Sequence, residues 1–252
     1  MNQALSQKAY KGWGMEGFTA KWYASLTRNA MDDFRALAKR VAEGGTGPGA
    51  ALAESGDSLR PSAPSPVVPR ASEELPQGAR VLEVAPGPGY FAIELAKIGS
   101  YRITGLDISR TFVEIARRNA ADARVAVEFR QGDAANMPFA NESFDFVLCR
   151  AAFKNFNQPL RALQEMERVL DTGGRAMIID LRGDASRESV NQAVNEMHLG
   201  PVNRLLTKGA FHFMLLKRAY TKRDFEQFLS VTKFGKTEIH ESRTGFELVL
   251  RK

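Results

Sequence analysis

Residues 81–92 read VLEVAPGPGYFA, and the reading of this stretch decides the fold. An apolar run broken only by Glu83 enters a loop of small residues, and helical spacing follows from Tyr90. The order is strand, tight turn, helix. Gly87, Gly89 and Ala92 formally satisfy the G-x-G-x-x-G/A dinucleotide fingerprint. Glu83 argues against a dinucleotide, because a pyrophosphate seeks backbone N–H groups at a helix N-terminus with no competing anion. Taken alone, the loop leaves its ligand open.

Downstream, short β-rich runs alternate with helical patterns, as a parallel α/β sheet requires. Strands are expected at Arg80–Ala85, Arg102–Asp107, Ala126–Gln131, Phe144–Arg150 and Arg175–Leu181. Helices are expected at Tyr90–Ile98, Arg110–Ala121 and Pro159–Leu170, the last closed by Asp171-Thr172-Gly173-Gly174. Lys236–Glu241 and Phe246–Arg251 flank a short turn and predict an antiparallel pair. The fold class is therefore α/β, a Rossmann-like, mostly parallel seven-stranded sheet with an antiparallel C-terminal hairpin.

Upstream, Thr19–Glu43 carries Trp22, Leu26, Phe34, Leu37 and Val41 at helical intervals and reads as one amphipathic helix. Residues 1–43 form an N-terminal cap region. Residues 44–77 are dense in Gly, Pro, Ser and Ala and read as a flexible linker. Residues 78–252 make up the main domain, with a helical substrate cover at about 185–225. Within that cover, Met197–Arg223 has no acid and mixes Leu, Met and Phe with six Lys and Arg. Such a surface suits an apolar or anionic acceptor, or peripheral contact with a membrane; a solvated basic face is the plain alternative.

At 252 residues, 44% hydrophobic and 25% charged, the chain has ordinary globular composition. Its charge of +6 at pH 7 permits anionic partners without choosing among them. The single cysteine, Cys149, sits in an apolar strand and reads as a core thiol. No apolar run approaches the ~18 residues of a membrane span, and MNQALSQKAYKGWG lacks the apolar centre of a signal peptide. A cytoplasmic location is expected.

Ligands on such sheets bind beyond the carboxyl ends of the strands, at the topological switch point. The first strand delivers Glu83, Ala85, Gly87 and Gly89; the second delivers Asp107 and Ile108, with the acid spaced to accept hydrogen bonds from a ribose diol. The third delivers Asp133 and Ala134, an acid suited to an exocyclic amine, and the fourth delivers Arg150. Three acids suit a cofactor without phosphates. S-adenosyl-L-methionine, with a sulfonium, an ammonium, a ribose diol and an adenine amine, matches that inventory. Asp107 as a helix-opening acid and Asp133 as a turn former remain the plain alternatives.

The segments EVAPGPG (83–89), GLDIS (105–109), QGDAANMPFANESFDFVLCR (131–150), FKNF (153–156) and ERVLDTGGRAMIID (167–180) together resemble the class I S-adenosyl-L-methionine-dependent methyltransferases, in the branch related to the ubiquinone/menaquinone C-methyltransferases. The resemblance implies that the 83–89 loop wraps the methionine moiety, that Asp107 holds the ribose hydroxyls, and that Asp133 and Ala134 meet the adenine. Arg150 would lie beside the methionine portion and the substrate entrance. Ala85 departs from the family's usual glycine.

Methyl transfer needs desolvation and alignment more than covalent catalysis. Asn155, His212 and Tyr220 are the candidates to orient or deprotonate an acceptor; Trp22, Tyr23, Phe153 and His212 are the candidates to line it. His198, His212 and His240 have no metal-ligand spacing, so no metal is expected. The expected partner is a small, apolar or aromatic methyl acceptor, without nucleic acid; nothing in the sequence sets an oligomeric state. A nicotinamide-dependent oxidoreductase, or an RNA- or protein-directed methyltransferase, are the competing readings.

Overall fold

The computed structural model of the protein describes residues 15–45, 74–196, 201–210 and 215–252. His198, His212 and all but the ends of the 44–77 linker lie outside the described residues. The expected N-terminal helix is two: α1 (Gly17–Thr27) and α2 (Met31–Ala42), separated by a 3-10 turn at Arg28–Ala30. The break has local causes. The Thr27 hydroxyl donates back to the carbonyls of Tyr23 and Ala24, 2.9 and 3.3 Å away, and Asp32 and Asp33 favour a fresh helix start.

α2 buries Phe34, Leu37, Ala38 and Val41, the stripe that the 3.6-residue period demands, and is fastened to the sheet. Arg40 pairs with Glu247 at 2.6 Å, and the Arg175 guanidinium donates to the carbonyls of Val41 and Gly44. The Leu75 N–H donates to the Ala42 carbonyl at 3.0 Å, which ties the end of α2 to the residues just before the sheet.

The central elements follow the expected alternation: β1 (Arg80–Val84), α3 (Tyr90–Ala96), β2 (Arg102–Asp107), α4 (Arg110–Asp122), β3 (Val127–Gln131), β4 (Phe144–Arg150), α5 (Pro159–Val169) and β5 (Leu170–Leu181). Four further helices follow: α6 (Arg187–Glu196), α7 (Pro201–Ala210), α8 (Leu216–Arg218) and α9 (Lys222–Leu229). The chain ends in β6 (Lys236–Glu241) and β7 (Gly245–Arg251).

The seven strands lie in the order β3-β2-β1-β4-β5-β7-β6. β1 to β5 pair in parallel, whereas β7 is antiparallel to both β5 and β6. Asp171–Gly174 does not close a helix, as the sequence suggested. It opens β5 with a bulge, Leu170 facing Phe144 and Arg175 facing Phe146, and Gly173 takes φ 78°. The side chain of Arg80 ties this bulge to Asp145 and Asp171.

Both faces of the central strands are covered, which explains why β1, β4, β5 and β7 read as largely apolar runs while the edge strands β3 and β6 do not. Val81, Leu148, Met177 and Val249 pack under α2, α3 and α4; Leu82, Val147, Ile178 and Leu250 face the opposite core with α5 and α9. Cys149 is completely buried, and burial holds its thiol well above the ordinary pKa, as a core thiol requires. The chain winds outward from β1 to β3 and then crosses back to β4. The switch point therefore lies between β1 and β4. Among the described residues, no helix is long and apolar enough to cross a membrane, and no cluster of acids, His or Cys could hold a metal ion.

Candidate functional site at the switch point

The loop after β1 makes the floor of the crevice. Ala85 takes φ 56°, a left-handed conformation that costs an L-residue about 1–2 kcal/mol, and its N–H donates to the Leu106 carbonyl at 2.8 Å. Gly89, at φ 79°, starts α3, and a Cβ there would lie 2.6 Å from the ring of Phe129. The glycine is required twice, by conformation and by space. Gly87 aims its N–H at Asp107 Oδ2, 3.0 Å away, and the Ser109 N–H donates to Oδ1 at 2.9 Å. Asp107 thus links the loop to the start of α4. Burial raises its pKa to about 6 against these two hydrogen bonds, and Glu16 adds repulsion.

Glu83 is buried beneath the loop and accepts from the Ala92 N–H at 3.1 Å. Burial raises its pKa to about 8, opposed by that bond and by Arg150. Arg150, at the end of β4, stacks on the Phe34 ring at 4.4 Å. Among the described residues it makes no hydrogen bond, and burial lowers its pKa against the pull of Tyr23, Asp33 and Glu83. A buried carboxylic group and, within its electrostatic reach, a guanidinium with open donors thus lie at the β1–β4 crevice. That pair is complementary to the ammonium and carboxylate of an amino acid.

On the β2–β3 side, Ile108 is 65% exposed, an apolar surface left open beside Asp107. Asp133 is exposed and accepts from the Ala135 N–H at 2.9 Å, while Ala134 is half-buried next to it. An apolar shelf flanked by one acid from each of two neighbouring parallel strands, both at the carboxyl end, fits a nucleoside without phosphates. The strand ends thus bring Glu83, Ala85, Gly87, Gly89, Asp107, Ile108, Asp133, Ala134 and Arg150 to one edge of the sheet.

The residues expected on the acceptor side fare differently. Phe153 is 0% exposed in a cluster with Phe156, Tyr220, Phe225 and Phe228, and so cannot line a substrate in this structure. Tyr220 is buried in the same cluster; burial, with Asp224 and Asp180, raises its phenol to about 12, the wrong direction for a base. Trp22 is 57% exposed on the side of α1 opposite Ala20 and Ala24, which pack inward near Phe112. Tyr23 is half-buried, edge-on to Phe112. Asn155 is exposed on the 3-10 turn Phe153–Asn155 that follows β4.

Sequence reasoning missed a buried ion pair beside this turn. Lys154 Nζ donates to Asp180 Oδ1 at 2.8 Å and to the Ala151 carbonyl at 2.6 Å, and the Lys154 N–H donates to Asp180 Oδ2 at 2.9 Å. The pair fixes the β4–α5 connection, where Ala151 takes φ 59°. Inspecting the end of the fifth strand as well as the first four would have found Asp180.

Parallel strands, an antiparallel seventh and a glycine-bearing loop at the switch point define the class I methyltransferase architecture. Residues 82–178 match the family described as methyltransferase domain. A solved structure from Methanococcus maripaludis, described as a candidate S-adenosyl-L-methionine-dependent methyltransferase, shares the fold with a TM-score of 0.69 at 20% identity, over 96% of this chain and 95% of that one. Among curated proteins, the demethylmenaquinone methyltransferase of Deinococcus radiodurans is 39% identical over 108 residues, 42% of this chain and 45% of that protein. The demethylmenaquinone methyltransferase of Chlorobaculum parvum is 31% identical over 159 residues, 62% of each. The central segment, residues 82–178, matches a methyltransferase domain and is similar to these proteins, and the cofactor of such domains is S-adenosyl-L-methionine. The matches cover less than two thirds of either relative's length.

Proposed function

We propose that the chain transfers a methyl group from S-adenosyl-L-methionine to a small, apolar, ring-bearing acceptor of the quinol type. The observation that carries the cofactor half is the set of acids at three strand ends, Glu83, Asp107 and Asp133, with the Arg150 guanidinium open above them. The acceptor class rests on the relatives, whose name describes methylation of a demethylmenaquinone and whose similarity runs through the site-bearing strands.

When bound, the cofactor supplies an electrophilic methyl on a sulfonium. The chain's own residues do the rest. Asp107 would accept from the ribose hydroxyls, Ile108 and Ala134 would flank the adenine, and Asp133 would accept from its amine. Arg150 and Glu83 would hold the amino-acid end, with the Ala85–Gly89 loop excluding water beneath it. Asn155 would donate from its amide to an acceptor oxygen and fix the ring. It has no basic atom for the proton, so His212 keeps that role in this reading.

The outer face of α1 supports delivery of a lipid-like acceptor from a membrane surface. Phe18 is 83% exposed one turn from Trp22, Lys21 is exposed between them, and the helix contains no acid. A cytoplasmic location is part of the same reading.

Titration calorimetry with S-adenosyl-L-homocysteine and with NAD tests the cofactor half: binding of the first and not the second is expected. Transfer of labelled methyl to a reduced 1,4-naphthoquinone with a short isoprenoid tail tests the acceptor half. Labelling of RNA or protein in preference to the quinol would overturn it.

A further inference from the structure

Glu16 lies just ahead of α1, ninety-four residues before the start of α4, and its carboxylate is seated on that start. It accepts from the N–H of Arg110 at 2.9 Å, from the N–H of Thr111 at 3.1 Å and from the Thr111 hydroxyl. The Gly17 N–H donates to Thr111 Oγ1 at 3.0 Å, and the Ser109 hydroxyl donates to the Met15 carbonyl at 2.6 Å. Ser109 itself caps Phe112. The first three N–H groups of α4, which a helix leaves without intrahelical partners, are thus all satisfied, two of them by a side chain from another part of the chain.

The same short stretch carries Asp107. Ser109 donates its N–H to Asp107 Oδ1 while Gly87 holds Oδ2, so the hydrogen bonds of Glu16 to Arg110 and Thr111 reach the carboxylate at the cofactor edge through the backbone that joins Arg110 to Ser109. Away from this contact, α1 sets Tyr23 edge-on to Phe112. It buries Ala20 and Ala24, offers the Ala24 carbonyl to Tyr90 at 3.0 Å and leaves Phe18 and Trp22 outside, whereas α2 has the Arg40 and Arg175 anchors.

We propose that Glu16 is a positioning residue for the cofactor site. It clamps the β2–α4 turn and keeps the Asp107 carboxylate fixed, so that an adenosyl ligand held by that carboxylate leaves more slowly. The proposal rests on the cofactor reading above, and its test separates the two.

The probe is S-adenosyl-L-homocysteine, with affinity read by calorimetry and dissociation by stopped flow, on wild type, Glu16→Ala, Asp107→Asn and the double variant. Glu16→Ala is expected to speed dissociation and weaken affinity about tenfold with an unchanged melting temperature. In the Asp107→Asn background the same change is expected to cost less than about twofold, because contacting networks are non-additive. Equal loss in both backgrounds would show that Glu16 does not act through Asp107 and would overturn the proposal, as would an unchanged off-rate. Should Glu16→Ala lower the melting temperature, Glu16→Gln, which keeps one acceptor oxygen, is expected to give the same coupling; additivity there overturns the proposal too. A wild-type protein that ignores the probe would instead sink the cofactor reading itself.

Discussion

The two sides of the switch point are built on different principles. On the β1–β3 side, each group at the site is backbone or a side chain within a few residues of a strand end: the loop 85–89, Asp107 with Ile108, and Asp133 with Ala134. On the β4–β5 side, the connection after β4 is held by Lys154 reaching Asp180 and by an aromatic cluster drawn from Phe153, Tyr220, Phe225 and Phe228. The first side is set by local geometry, so a motif describes it. The second is set by packing between distant segments, so no short motif describes it.

If that contrast is right, the largest effects of single changes fall on the loop. Gly89→Ala must hold a Cβ at φ 79° and 2.6 Å from the Phe129 ring. Left-handed strain and overpacking together should destabilise the fold by about 2–5 kcal/mol, measured as a lowered denaturant midpoint. A midpoint near wild type would mean that the loop yields readily and the contrast is false. Next comes Asp107→Ala, which removes the acceptor of two backbone N–H groups. S-adenosyl-L-homocysteine affinity should fall by about 1–3 kcal/mol, with transfer activity falling in parallel at sub-saturating cofactor.

Asp107 also predicts a pH dependence. Its pKa is raised to about 6 in the folded protein, above the unfolded carboxylate. Its contribution to stability is therefore fully present below the unfolded value near 4 and is lost as the pH rises through about 6. Ligand binding has the opposite sign, because hydroxyl donors prefer the ionised form. Homocysteine-product affinity should weaken as the pH falls below about 6, approaching tenfold per pH unit, and Asp107→Asn should flatten the profile. A wild-type profile that is flat from pH 7 to 5 would remove the carboxylate from the binding site.

How much of this was legible follows the same division. The strands β1, β2, β4 and β7 and the glycine loop were readable because a strand buried on both faces leaves an apolar run and a left-handed turn leaves a glycine; the edge strand β6, largely exposed, was readable only as the partner across the short turn before β7. The single N-terminal helix was misread, since its apolar spacing continues across Thr27 while the hydroxyl back-bonding that breaks it has no period. The Asp171–Gly174 bulge was misread because glycine ends helices and bends strands alike. Glu16 had no local signal at all: its partners lie on α4. Phe153 and Tyr220 stood at the right places in the chain for a substrate pocket, and only the packing of Phe225 and Phe228 of α9 onto them and of Phe225 onto Phe246 of β7 turns them into core.

Smaller than these effects, and opposite in sign, is Ala85→Gly. Ala85 holds φ 56° with its N–H bound to Leu106, so glycine removes the strain without losing the bond. The gain, less glycine's extra unfolded-state entropy, should be about 1 kcal/mol, seen as a raised melting temperature with cofactor affinity little changed. A lowered melting temperature would show that the Ala85 methyl contributes packing that outweighs its backbone strain.

The smallest effect is expected at Tyr220, and it tests the other half of the comparison. The ring packs against Phe153, Phe225 and Phe228, and the phenol is pushed up to about 12, so at neutral pH it is a protonated core group with no capacity to take a proton. Tyr220→Phe keeps the ring and should cost no more than about 1 kcal/mol of stability. Cofactor affinity and the pH profile of transfer should match wild type. Asn155→Ala, by contrast, should raise the acceptor's KM or lower kcat without touching cofactor affinity, since its amide is exposed on the turn after β4. Loss of turnover in Tyr220→Phe at wild-type stability would mean that the aromatic cluster opens during the reaction and carries the phenol to the acceptor, which would make the β4–β5 side a moving part instead of a packed wall.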